Sequence, residues 1–230
     1  MKLVAQMVGY NEADRWLREV LEHLTHVADE IVFTDDCSTD NTLKMAKEYG
    51  CHTYKTPTQL FTSNEGQLRS MAWSNLRNHA EDGDWILAID CDEKLWATRR
   101  DLSLRDLMEQ SKYDVLNVKF YHMWNDTQYR VDKAWRPGNS SRMFRYYRNG
   151  RFKDSRLACG SEPTYVQDLI RNRKYLSESG LVMQHLGYVR DEDKHAKYER
   201  YMAIDGGDFH AKQHIESIID PEPELVNWSS

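Results

Sequence analysis

At 230 residues, with 40% hydrophobic and 11% aromatic side chains, the chain is long enough for one large α/β domain and too apolar for a disordered one. A formal net charge of −6 argues against a protein that coats nucleic acid along its whole surface. No apolar run approaches the roughly 20 residues needed to cross a bilayer, and the opening Met-Lys-Leu-Val-Ala-Gln-Met-Val meets charge too soon for a secretion signal, so a soluble, cytoplasmic protein is expected.

In chain order, Lys2–Val8 reads as a buried strand ending in the turn-forming Gly9-Tyr10-Asn11-Glu12. Trp16, Leu17, Val20, Leu21 and Leu24 recur at helical spacing and predict an amphipathic helix over 13–24. Glu30–Thr34 predicts a second strand. The polar run Asp35-Asp36-Cys37-Ser38-Thr39-Asp40-Asn41-Thr42 follows it, with several side chains able to cap a helix that runs to Gly50. A short strand over 51–55, a loop through Pro57 and Asn64, and a helix over 65–79 lead to the stretch Asp84–Leu95.

There an apolar run, Ile86-Leu87-Ala88-Ile89, ends abruptly in Asp90, Cys91, Asp92 and Glu93. Such a run reads as a strand buried on both faces, and its acids fall at the carboxyl end, where open α/β sheets bind ligands. Two carboxylates one residue apart can hold a hard divalent cation whose shell is completed by phosphate oxygens. Strands alternating with helices at this spacing predict a mainly parallel sheet with the turns after each strand on one edge, so Tyr10, Asp36, Asp90 and Asp92 are expected to converge.

Beyond Leu95 the alternation is lost. A helix is expected over 102–110, strands over 115–121, 141–147 and 181–185, and a helix over 191–204, with a mobile tail from Asp220. A functional boundary is placed near residue 125: residues 1–125 form a donor-binding half and 126–230 an acceptor-binding half with a C-terminal helix, within one domain. Cys37, Cys51, Cys91 and Cys159 show no metal-ligand spacing and read as reduced thiols. Between Arg130 and Arg156 basic residues (among them Lys133, Arg136, Arg142, Arg145, Arg148 and Arg151) far outnumber acids, which predicts a basic face.

The motifs Tyr10-Asn11-Glu12, Ala28-Asp29-Glu30-Ile31-Val32 leading to Asp35-Asp36-Cys37-Ser38-Thr39-Asp40, Arg69 in the next helix, and Asp84-Trp85-Ile86 leading to Asp90-Cys91-Asp92-Glu93 appear in order over the first hundred residues. This series resembles family 2 glycosyltransferases of the GT-A fold. A looser match continues through Arg142-Met143-Phe144-Arg145, Gly160-Ser161-Glu162 and His185-Leu186-Gly187-Tyr188, with Lys194, Lys197 and Tyr201 beyond.

The resemblance implies a nucleotide-diphosphate-sugar donor, a UDP-sugar in the first instance, with Tyr10 stacking on the base and Asn11 and Glu12 beside it. Asp36 would bond the base or ribose, Arg69 would lie near the base or diphosphate, and Asp90 near the ribose or sugar. Asp92 and His185 would hold Mn²⁺ or Mg²⁺, and Glu162 would be the base of an inverting transfer, with Asp154 its nearest rival. Two departures stand out: Cys37 where the family commonly has Gly, and Gly160-Ser161 before Glu162 where a His often occurs.

The acceptor is expected to be a hydroxyl compound. Tyr129, Trp135, Phe144, Tyr146, Tyr147 and Phe152 interleave with the basic segment, which suggests an anionic glycan, a lipopolysaccharide core or a nucleic acid with a hydroxylated base. Two alternatives keep the acidic site but not the reaction: a sugar-nucleotide nucleotidyltransferase, for which Gly9-Tyr10-Asn11-Glu12 is a poor phosphate loop, and a non-catalytic nucleotide-sugar-binding module.

Overall fold

The computed structural model describes residues 1–98, 103–132, 135–157, 159–204 and 212–228. Strand β1 (Leu3–Gly9), helix α1 (Leu17–Leu24), β2 (Glu30–Asp35), α2 (Thr42–Glu48), β3 (His52–Lys55), α3 (Glu65–Asn75) and β4 (Trp85–Ala88) form the expected alternating half. Its strands run parallel in the order β3-β2-β1-β4. The apolar runs that mark β1 and β4 follow from double-sided burial: Leu3, Ala5, Met7, Trp85 and Leu87 pack into one core, while Val4, Ile86 and Ala88 face a second core across the sheet.

Helix α1 is shorter than its periodicity suggests. Residues 13–16 form turns, and the regular helix begins at Leu17, whose side chain is buried with those of Val20, Leu21 and Leu24. Asp40 acts as a local tie, accepting from the Thr42 backbone N–H at 2.9 Å and from that of Ala13 at 3.1 Å. Asn64 caps α3 by accepting from the Gln67 N–H at 2.8 Å, and a 3₁₀ turn over Leu76–Asn78 extends that helix.

The second half departs further from expectation. A strand not read from the sequence, β5 (Glu93–Ala97), begins directly after the acidic turn. It is followed by α4 (Leu104–Gln110), β6 (Val115–His122), β7 (Gln128–Arg130), β8 (Gly138–Arg145), α5 (Thr164–Arg171), β9 (Leu176–His185), α6 (Asp191–Ile204), α7 (Lys212–Glu216) and β10 (Leu225–Asn227). The sheet continues as β4-β8-β6-β9-β5, with β6 and β9 parallel and the other new pairings antiparallel. One eight-stranded sheet therefore runs through both halves. The expected start of α4 at Leu102 lies outside the described residues.

Two expectations are overturned. The segment 220–224 is held at both ends, the Asp220 carboxylate accepting from Arg130 at 3.1 Å and the Glu224 carbonyl from the Val131 N–H at 3.0 Å, and it leads into β10, which pairs with β7. The basic segment is not one face. Arg130 is fully buried against Asp132 and stacks 4.6 Å from the Trp124 ring centre, Arg145 lies 4.3 Å from that of Trp85, and Arg142 points into a cavity. Trp135, Phe144 and Tyr146 are buried core residues. Only Arg136, Arg148, Arg151, Lys153 and Arg156 are exposed, and Lys133 lies outside the described residues. None of the four cysteines is disulfide-bonded. Among the described residues no helix is long and apolar enough to cross a membrane.

Candidate active site

The carboxyl ends of β1, β2 and β4 open onto a cavity of about 440 Å³. Tyr10, Glu12, Asp36, Arg69, Asp90, Asp92 and His185 line it, whereas Asn11 and Glu162 are not on its wall. Asp92 and His185 are far apart in sequence. They meet because β5 pairs antiparallel with β9, Glu93 opposite His185, and the Leu186 N–H donates to the Asp92 carbonyl at 2.7 Å.

Asp90 stands between two guanidinium groups, Arg142 at 3.3 Å and Arg69 at 3.8 Å. Burial opposes its ionisation, but these two cations outweigh burial and hold its carboxyl below the usual range. Arg142 also donates to Glu93 at 2.9 Å and to the Ser161 hydroxyl at 2.7 Å, tying the 157–161 loop to the acidic turn. Glu93 accepts from the Asp90 N–H at 2.9 Å, and its carboxyl is pushed upward by burial, against the pull of Arg142 and with the charges of Asp90 and Asp92. Arg69 is also paired with Glu65 at 3.3 Å, and Glu65 accepts from the Cys159 N–H at 3.1 Å.

Asp92 Oδ2 lies 3.3 Å from His185 Nε2, and the Lys197 ammonium, reaching down from α6, contacts both, at 2.9 Å and 3.2 Å. Burial disfavours a charged Asp92, but the Lys197 ammonium outweighs it and keeps the carboxyl well below its ordinary range. An ammonium has only donors, so His185 Nε2 presents its lone pair toward this point. The proton then sits on His185 Nδ1, which is 2.9 Å from Nδ1 of His122, placed alongside by the β6–β9 register. Burial holds both imidazoles below their usual pKa, hence neutral. Gly187 leaves the seat open: a Cβ there would fall 2.2 Å from Asp92 Oδ2 and 2.9 Å from His185 Nε2. One carboxylate oxygen and one neutral imidazole oriented by a second ring, converging on the point where the Lys197 ammonium sits, suit a divalent ion such as Mn²⁺ or Mg²⁺.

The other candidate residues divide. Tyr10, 36% exposed, stands at the rim. Asn11 adopts φ 52° and accepts from the Thr39 N–H at 2.9 Å, so its amide braces one loop against the next. Glu12 is partly buried in the cavity wall, its side chain 16% exposed, 3.4 Å from Arg15; desolvation, opposed by Arg15 and reinforced by Asp92, pushes its carboxyl up to about 7. Asp36 accepts from the backbone N–H groups of Leu60 at 2.8 Å and Phe61 at 2.9 Å, which pins the loop that closes one side of the cavity. Glu162 lies just before α5, where Gln167 donates to it at 3.5 Å. Asp154 is exposed and accepts from Asn64 at 3.3 Å.

Sequence reasoning gave no role to Lys197 or Arg142. Arg142 carried a usable signal, a charge inside a strand between buried Ser141 and Met143. Lys197 was noted only in the looser family match, with no role attached, because α6 has too few apolar residues to mark its inward face.

A different cluster of possible metal ligands, Glu30, His52 and His79, lies at the opposite edge of the sheet. The two rings are stacked, 4.1 Å between centres, and both face one Glu30 oxygen, at 3.3 Å from His52 and 3.2 Å from His79. The Lys2 ammonium already sits 2.8 Å from the same carboxylate. This cluster is a hydrogen-bonded clamp joining β2, β3 and the end of α3.

A half-parallel, half-mixed sheet with an acidic turn at the carboxyl end of its central strand defines a GT-A-type α/β protein. The family model for glycosyl transferase family 2 matches residues 7–173, and the chain belongs to that family. It is 27% identical over 118 residues to EpsE of Bacillus subtilis, and 30% identical over 138 residues to an uncharacterized glycosyltransferase of Rickettsia bellii. The first match covers 50% of this chain and the second 56%, each spanning 42% of the relative's length. Among solved structures, S. aureus TarS in complex with UDP-GlcNAc shares the fold with a TM-score of 0.55 at 18% identity, covering 95% of this chain and 70% of that one. The mannosyltransferase PcManGT of Pyrobaculum calidifontis, in complex with GDP-Man and Mn²⁺, gives 0.52 at 12% identity, covering 87% and 61%.

Proposed function

We propose that the protein transfers a sugar from a nucleoside-diphosphate donor, a UDP-sugar in the first instance, to a hydroxyl acceptor with inversion at the anomeric carbon. The observation that carries this reading is the meeting of Asp92 and His185 beside Asp90 in one cavity, in a chain of this family. TarS binds UDP-GlcNAc and PcManGT binds GDP-Man with Mn²⁺ on the same fold, which supports such a donor and such an ion.

In this reading Tyr10 stacks on the base at the rim, and the backbone turn pinned by Asp36 shapes the base pocket. Asp92 and His185 hold Mn²⁺ or Mg²⁺, which when bound supplies Lewis-acid stabilisation to the departing diphosphate. Arg69 and Arg142 fix the Asp90 carboxylate so that it can orient the ribose or sugar. The acceptor oxygen forms its bond to the anomeric carbon as the bond to the diphosphate breaks, the electron pair leaving with the nucleoside diphosphate. Glu162 takes the acceptor proton; its neighbours Gly160 and Ser161 line the cavity, Ser161 bonded to Arg142, and the short loop would have to carry Glu162 onto that wall. The acceptor is a hydroxyl compound; burial of Arg130, Trp135, Phe144 and Tyr146 leaves the exposed Arg136, Arg148, Arg151, Lys153 and Arg156 as the remaining support for an anionic one.

The test is release of nucleoside diphosphate from UDP- and GDP-sugars by the full chain, with and without Mn²⁺, and with Asp92→Asn beside it. Release that requires Mn²⁺ and is lost in Asp92→Asn is expected. Binding of every donor without release, with or without acceptors, would leave a nucleotide-sugar-binding module.

A further inference from the structure

We propose that Lys197 is a built-in cation of the Asp92–His185 seat, and that a divalent ion can enter only by displacing its ammonium. This deepens the reading of that site as the donor site and rests on it.

The Lys197 ammonium is 2.9 Å from Asp92 Oδ2 and 3.2 Å from His185 Nε2, its side chain only 8% exposed. Its charge also lies 4.5 Å from the centre of the Tyr188 ring, a face that attracts cations. A neutral imidazole nitrogen has one lone pair, in the ring plane, so His185 Nε2 can accept from Lys197 or bind a metal ion but not both. The opposite nitrogen is engaged with His122 at 2.9 Å, so the ring cannot serve both by flipping without losing that contact.

Space gives the same answer. A Cβ on Gly187 would lie 2.0 Å from Lys197 Nζ as well as 2.2 Å from Asp92 Oδ2, so both groups pack directly against the glycine and the ammonium stands where an ion bound to Asp92 and His185 would have to sit. Charge explains why something must fill it: a carboxylate this deeply buried and left unpaired is strongly destabilising, and Lys197 supplies the missing charge in the absence of metal. Once displaced, the ammonium carries its charge to the cavity that Arg200 and Tyr201 also line, where a diphosphate would meet it. Metal and donor therefore bind with positive coupling: the ion frees Lys197, and the freed ammonium favours the anion.

The test uses Mn²⁺ alone, titrated into the full chain and followed by the loss of free-ion electron paramagnetic resonance signal. Lys197→Met, which keeps most of the side-chain volume but no charge, is expected to bind Mn²⁺ at least 10-fold more tightly than the parent. Adding Asp92→Asn to Lys197→Met should abolish that binding. Unchanged affinity in Lys197→Met, with Asp92→Asn still abolishing it, overturns the displacement and leaves the donor site standing. Tight binding in Lys197→Met that survives Asp92→Asn overturns the site itself. Should Lys197→Met fail to fold, the parent protein decides. A buried, hydrogen-bonded ammonium gives a slowly exchanging ¹H–¹⁵N signal, which must vanish at saturating Mg²⁺; its persistence refutes the proposal.

Discussion

Glu12 offers a measurement that depends on the structure alone. Its carboxyl is buried beside Asp92, and its pKa rises from an ordinary 4.5 to about 7, with burial the largest cause and Arg15, Lys197 and Arg200 only partly opposing it. Because the folded state holds the proton more tightly than the unfolded chain, the group adds nothing below the unfolded pKa. It then costs stability progressively as pH rises through the folded value. At about 1.36 kcal/mol per pH unit the full cost is about 3 kcal/mol above pH 7.

Glu12→Gln keeps the size of the side chain and an oxygen for Arg15 but cannot ionise. Parent and variant should therefore be nearly equal near pH 4.5 and diverge until the variant is about 3 kcal/mol more stable at pH 8. For a chain of this length that is a melting-temperature gap of about 6 to 10 °C. Other titrating groups are common to both proteins and cancel in the difference. Thermal melts at half-unit steps between pH 4.5 and 8.5 measure it. Parallel curves, with no widening gap, would show that Glu12 is an ordinary ion-paired carboxylate and that the cavity wall is not the dry environment described.

Three further outcomes are expected. His185→Ala should weaken Mn²⁺ binding by at least 10-fold in a calorimetric titration of Lys197→Met, since one of the two protein ligands is gone; an unchanged titration makes His185 structural. Glu162→Gln should keep donor affinity while the turnover number falls by about 10²- to 10⁴-fold, the usual worth of a general base, whereas Asp154→Asn should do little; the reverse pattern moves the role to Asp154. Cys37 holds φ 65°, a conformation that costs a non-glycine residue roughly 1 kcal/mol, so Cys37→Gly should raise the melting temperature by about 2 to 4 °C despite the greater freedom of its unfolded chain, and a lower value would show that the Cys37 side chain is needed in place.

What the sequence made legible was set by how local the causes were. The strands β1 and β4 were readable because each is buried on both faces and so is apolar at nearly every position, Gln6 being the exception. The bounds of α6, Asp191–Ile204, coincide with the expected ones because its acidic first turn suits a helix start. Strand β5 was not readable: Glu93-Lys94-Leu95-Trp96-Ala97 owes its strand geometry to pairing with β9, more than eighty residues later, and Trp96 is 44% exposed at the sheet's edge. The apparent basic face failed for a related reason. A charge count along the chain does not say that Arg130 and Arg145 turn inward onto tryptophan rings, and only the folded neighbours decide it.

The proposed donor site shows the same limit in its chemistry. Asp90 and Asp92 were found because acids at the end of a buried strand have a local meaning, and His185 because it sits in a short motif. Lys197 belongs to the same cluster, and the sequence, which placed it only in the looser family match, gave it no role, since a lysine on a polar helix normally faces water. An ammonium and a dication make the same demand on a carboxylate oxygen and an imidazole lone pair. A motif that reports those ligands therefore specifies the seat, while its occupant depends on what the packing of α6 against β9 delivers to it.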